Sequence, residues 1–287
     1  MNLQHSKFKL RTCTWKELPC LIRELQSHPY HIGVQTIFRG QRDTNWLLQS
    51  TWEREFCIAQ KAPSVPYFLQ PINNQLRVTL QREHLKYFRH KLVVQNKNLS
   101  DHSDDGLWAF GRHHGLITPL LDWTSDYRIA AYFAFSEVVH ARSNDDCVAI
   151  WAIPLNYDDS RCASIWDDDR FPKTENLSFE PIERSACQEA QHGVFTRLSH
   201  PIFGDLGAYL DNVCPVQHSP HQFLMKIELP AVDADSALND LKRDRVTQDS
   251  VFPPEAAVGN AKDWHERIRG IVDECNQALK RNASRVK

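Results

Sequence analysis

The stretch that most constrains this chain is Leu120-Leu121-Asp122-Trp123-Thr124, which runs straight into an apolar segment, Ile129-Ala130-Ala131-Tyr132-Phe133-Ala134-Phe135. Ile129, Ala130, Phe133, Ala134 and Val138 recur at helical spacing, so this segment is a helix with one apolar face against a sheet, and its small alanines permit close packing. Between the two runs lies a polar cluster in which Ser125 or Asp126 supplies the N-cap. Asp122 is a carboxylate in an apolar setting and requires a partner; Arg39 and His114 are the candidates.

Upstream, Val34-Gln35-Thr36-Ile37-Phe38 is β-branched and aromatic with period-two alternation, and reads as a short strand ending at Arg39-Gly40. Gly40 allows a turn or the close approach of a ligand, and Arg39 offers a planar fork of donors suited to phosphate or carboxylate. The alternative role for Arg39 is to pin the strand through an acidic partner.

Thr14 and Glu17 have the spacing of a capping box, opening a helix to about Ser27. Trp52–Gln60 and a proline-punctuated connector (Pro63, Pro66, Pro71) precede an amphipathic helix, Asn73–Gln95, and a further helix covers Asp104–His114 before Gly115. Cys147–Ile153 is a buried central strand ended by Pro154, and Gly193–Leu198 and Gln222–Leu229 are strands. Asp158–Lys173 is acidic and irregular, while Asp233–Arg243 and Pro254–Arg281 are helical. The class is α+β: a mixed β-sheet core with helices inserted between strands.

With 287 residues and 41% apolar content, the chain buries one large core or a core plus a subdomain. A net charge of −2 and the absence of a Lys/Arg run argue against a purely nucleic-acid-binding role, without excluding an enzyme that acts on nucleic acid. Eight scattered cysteines without a Cys-x-x-Cys pair, and no apolar run of signal-peptide or membrane length, predict a reduced cytoplasmic protein with no membrane partner. His113 and His114 have no third ligand at a recognised spacing, so no metal is expected. One histidine would bond the following loop and the other would cap the preceding helix.

Phe38-Arg39-Gly40, set ahead of His113-His114-Gly115, Leu120–Thr124 and Ala130–Ala134, resembles the FRG domain, from about Thr14 to about Pro254, with residues 255–287 as a C-terminal helical extension. The motif order is in turn similar to the Arg-Ser-Glu class of ADP-ribosyltransferases. That similarity implies NAD as substrate, held by Arg39, Gly40 and Gln41 and by Thr124-Ser125, which stand where the Ser-Thr-Ser element would be. The third element would be Glu189-Ala190-Gln191, but Gln191 occupies the place of the catalytic glutamate, within the Gln-x-Gly-x-Phe segment typical of FRG domains. A glutamine carries no charge to stabilise an oxocarbenium-like centre, so Glu189 or Asp122 would have to serve; otherwise Gln191 bonds buried backbone.

Three functions follow as expectations. One is an NAD-using transferase or glycohydrolase, a toxin or anti-phage effector with a protein, nucleic-acid or water acceptor and an antitoxin or regulatory partner. The second is a non-catalytic nucleotide-sensing or protein-interaction module. The third is a hydrolase or nuclease with His114 and Asp122 as base and orienting partner.

Overall fold

The run around Ile150 lies at the middle of the architecture because its residues are apolar on both faces, as a strand covered on two sides must be. In the computed structural model, which describes residues 9–27, 35–60, 71–95, 102–138, 146–155, 189–197, 224–253 and 261–285, this run is strand β4 (Cys147–Leu155). The other strands are β1 (Lys9–Thr12), β2 (Gln35–Gln41), β3 (Leu120–Thr124), β5 (Gly193–Arg197) and β6 (Met225–Pro230). They form one six-stranded sheet in the order β1-β6-β4-β2-β3-β5. Only β1 and β6 pair in parallel, so the sheet is mixed and the class is α+β.

One face of β4 and β6 (Val148, Ile150, Ala152, Ile227, Leu229) packs with Phe38 under helices α1 (Leu18–Ser27) and α5 (Tyr127–Phe135) and the later helix Ala234–Arg243. The second core lies at the β3 end, where Leu120 meets Phe88 and Leu92 of α3 (Pro71–Gln95), Leu107 of α4 (Asp104–His113), and the C-terminal helix Ala261–Arg285. In chain order the remaining helices are α2 (Thr51–Gln60), α6 (Ala234–Arg243), α7 (Gln248–Val251) and α8 (Ala261–Arg285). Ile268, Val272 and Cys275 of α8 are fully buried against α3 and α4, so within the described residues α8 is part of the core that carries the site.

Local chemistry sets the element ends. Glu17 Oε2 accepts from the Thr14 backbone N–H at 2.8 Å, as the capping-box spacing indicates. Asp126 caps α5 by accepting from Arg128 N at 2.9 Å. Pro71 opens α3 at its first position, where a missing N–H costs nothing. Helix α4 ends in a Schellman turn: Leu116 N donates to Gly111 O at 2.8 Å and Gly115 N to Arg112 O at 3.1 Å, with Gly115 at φ 91°.

Three sequence readings change, and the structure adds a turn at 189–192. Leu120–Thr124 is itself a strand, because β5 and β2 flank it. Strand β2 continues through Arg39-Gly40 to Gln41, held by β4 opposite Trp151, Ile150 and Ala149. Strand β4 passes through Pro154, which is tolerated because the β6 ladder has already stopped at Ala152. Residues 189–192 form a helical turn closed by His192 N on Glu189 O at 3.0 Å, so Glu189 and Gln191 point to different sides. Pro63, Pro66 and Asp158–Lys173 lie outside the described residues.

Candidate functional site

Strands β2 and β3 share a single ladder pair, Phe38 opposite Thr124. Beyond it side chains replace the missing rungs. Arg39 Nη1 donates to the Asp122 carbonyl oxygen at 2.7 Å and lies 3.7 Å from Asp122 Oδ2. Arg112, on the last turn of α4, grips the same carboxylate with both arms of its fork: Nε donates to Oδ1 at 3.1 Å and Nη2 to Oδ2. The Schellman turn makes this possible by sending the chain back from Arg112 to β3. Thr51 Oγ1 accepts from Arg112 Nη1 at 3.2 Å and from Thr118 N at 3.0 Å, tying α2 to the same corner. Asn276 of α8 brackets the turn, accepting from Ile117 N at 2.9 Å and donating to Gly115 O at 3.0 Å.

A cleft of about 520 Å³ opens where the β2–β3 ladder stops. Arg39, Arg112 and Asp122 line it beside aromatic side chains that include Trp46, Phe133 and Phe252. Arg39 is 16% exposed, and its Nε is buried with no hydrogen-bond partner among the described residues. Burial pushes the Arg39 guanidinium down to about 10, with Arg112 and Arg54 repelling it and Asp122 opposing the shift, so it remains a cation at neutral pH. Burial works against the Asp122 charge as well. Arg112, by charge and hydrogen bonds, and then Arg39 outweigh it and hold the carboxyl below its usual range. The same attraction raises Arg112 despite its own burial.

Of the residues singled out from the sequence, Arg39, Gly40, Gln41, Asp122, Thr124 and Gln191 line this cleft. Gln41 is engaged in the framework, donating to Leu47 O at 3.1 Å and accepting from Trp151 Nε1 at 2.7 Å. Gly40 is needed for packing: a Cβ there would collide with the Ala130 carbonyl oxygen and lie 2.8 Å from Ala134 N, so the element that approaches it closely is α5. Thr124 Oγ1 accepts from Asp126 N at 3.1 Å and shapes the entry to α5. Gln191 Nε2 donates to the Val251 carbonyl at 3.2 Å, the backbone bond that was the alternative to catalysis.

His114, Ser125 and Glu189 are not among the lining residues. His114 sits edge-on to Phe110 at 4.7 Å, whereas His113 faces the cleft, and the contacts of Asp122 run to arginines. Ser125 N donates to His192 O at 3.2 Å, and Glu189 is exposed on its helical turn. Among the described residues no three His, Cys, Asp or Glu side chains gather as metal ligands, and no helix is long and apolar enough to cross a membrane.

Arg112, Trp46 and Phe252 were not read from the sequence. The signal for Arg112 was present: it immediately precedes His113-His114-Gly115, and an aspartate within Leu-Leu-Asp-Trp requires a cation. Phe252 reaches the cleft from a remote part of the chain and has no local signature.

Residues 34–143 match the family model of the FRG domain, a span that includes β2, α4, β3 and α5 and therefore Arg39, Arg112 and Asp122. No curated protein matches the chain, and no solved structure matches it.

Proposed function

We propose that this FRG-domain chain binds a phosphorylated nucleotide, NAD foremost, in the cleft between β2 and β3, with Arg39 as the phosphate anchor. The observation that carries the proposal is the asymmetry of the two arginines. Arg112 commits all three of its nitrogens to the Asp122 carboxylate and Thr51, whereas Arg39 commits only Nη1, to the Asp122 carbonyl, and its Nη2 has no hydrogen-bond partner among the described residues. Two arginines against one aspartate leave an uncompensated positive charge at the cleft floor. A bound phosphate would meet a charge-assisted donor in the remaining arm of the Arg39 fork. Aromatic walls beside a cationic floor suit a ligand that joins a planar ring to a phosphate.

Bond cleavage is the second reading. The juxtaposition of Arg39 and Asp122 in one cleft favours it, as the resemblance to ADP-ribosyltransferases would require. Against it, Arg112 neutralises Asp122, and a carboxylate already paired stabilises a growing cation at the ribose carbon less than a free one. Binding is therefore the property the geometry supports best. Calorimetric titration with NAD, run alongside an assay for released nicotinamide, tests both. Saturable binding without nicotinamide supports nucleotide recognition, binding with release supports bond cleavage at the same site, and no binding overturns the proposal.

A further inference from the structure

Phe252 lines the cleft and is 41% exposed, so its ring is accessible to a ligand there. Its backbone is nevertheless firmly held. Phe252 N donates to Gln248 O at 2.8 Å, and Thr247 and Ser250 form a reciprocal capping box at the start of α7. Two side chains from elsewhere brace the same turn: Gln191 Nε2 on the Val251 carbonyl at 3.2 Å, and Tyr132 Oη on Gln248 Oε1 at 2.5 Å. The ring of Phe252 meets Phe133 edge-on, with centroids 5.7 Å apart and planes at 89°. An edge contact leaves an aromatic face available. Trp46, also on the cleft, instead carries the Arg42 guanidinium 4.8 Å from its ring centroid.

We infer that Phe252 is the ring-recognition residue of the cleft, stacking on the planar base of the nucleotide whose phosphate Arg39 holds, and that Gln191 positions it. This rests on the nucleotide reading and adds the part of the ligand that is discriminated. Phe252 and Gln191 both lie outside the span matched by the FRG family model, so ring selectivity is supplied by the rest of this chain while the anion site lies within the matched span. The inference also gives Gln191 a role without catalysis: its amide fixes the carbonyl immediately before the stacking residue. Stacking of a base on an aromatic side chain is sequence-tolerant and strong enough to dominate selectivity between ring-bearing and ring-free anions.

The test titrates the full chain with NAD and, separately, with inorganic pyrophosphate. Phe252→Ala is predicted to weaken NAD binding by about tenfold or more while leaving pyrophosphate unchanged. Phe252→Leu, which keeps apolar bulk without a π face, is predicted to behave like Ala, and Phe252→Trp to retain NAD. Gln191→Ala should show a smaller loss confined to NAD. Circular dichroism checks the fold of each variant. Equal NAD affinity in wild type and Phe252→Ala overturns the ring-recognition role while the nucleotide reading stands. Absence of both ligands from the wild-type protein overturns the nucleotide reading and this inference with it.

Discussion

Arg112 holds both carboxylate oxygens of Asp122 in a planar fork, Nε to Oδ1 at 3.1 Å and Nη2 to Oδ2, across a ten-residue separation that includes a helix end and a reversal of the chain. This contact joins α4 to β3 and decides which arginine is left for a ligand. Asp122 is 38% exposed, so the pair is worth less than a fully buried one.

Asp122→Asn is predicted to lower stability by about 1–2 kcal/mol at pH 7, the value for a partly exposed pair that leaves two arginines facing each other. Because the folded-state pKa of Asp122 is depressed, its contribution is present above the ordinary carboxylate pKa of about 3.9 and is lost as pH falls through the lower folded value. Urea midpoints at pH 7 and pH 2 should therefore show a gap between wild type and variant that narrows as the pH falls below about 3.9. A gap as wide at pH 2 as at pH 7 contradicts the ion-pair account.

Gly40→Ala places a methyl group against the backbone of α5 at Ala130 and Ala134, where no flexible side chain can yield. Overpacking of this kind costs about 3 kcal/mol or more when backbone must move. Chemical denaturation should register that loss. Unchanged stability would mean that β2 and α5 are not in the contact described.

His84 gives a second, separate pH response. Its ring lies buried between Trp52 and Trp108, at 5.7 and 5.8 Å, and burial pushes its pKa down to about 4. The folded state thus refuses a proton that the unfolded chain accepts below about 6.5. Stability is fully present above that value and falls as pH drops from about 6.5 towards about 4, by about 2 kcal/mol between pH 7 and pH 4.5. His84→Phe should flatten the profile in this window and leave the deeper acid limb unchanged. Identical slopes in both proteins would show that His84 is not the group responsible.

What was legible in the sequence was what local chemistry controls. The capping spacing of Thr14 and Glu17, the Asp126 cap, the apolar face of Ile129 to Ala134 and the doubly buried run at Ile150 each depend on neighbours within a turn or two. Leu120–Thr124 escaped recognition as a strand because its pairing partners, Phe38 and Gly193–Arg197, are remote in sequence. The requirement of Asp122 for a cation was legible, and Arg39 was named as a candidate. That the closer cation is Arg112 depends on the direction in which the Gly115 turn returns the chain. That Glu189 turns away from the cleft while Gln191 enters it depends on the helical turn at 189–192, closed by His192 on Glu189, which no local pattern announces.

The most direct test is the affinity of Arg39→Lys for NAD, measured by calorimetry together with its melting temperature. Lysine keeps the charge but gives up the planar fork, whose one arm holds the Asp122 carbonyl while the other is left for the proposed phosphate. The prediction is a loss of affinity of about tenfold or more, with the melting temperature within about 3 °C of wild type, since only the bond to the Asp122 carbonyl is weakened. Undiminished NAD binding, or a collapse of stability with affinity retained, would make Arg39 a strand-pinning residue and contradict its assignment as the anchor of a nucleotide site.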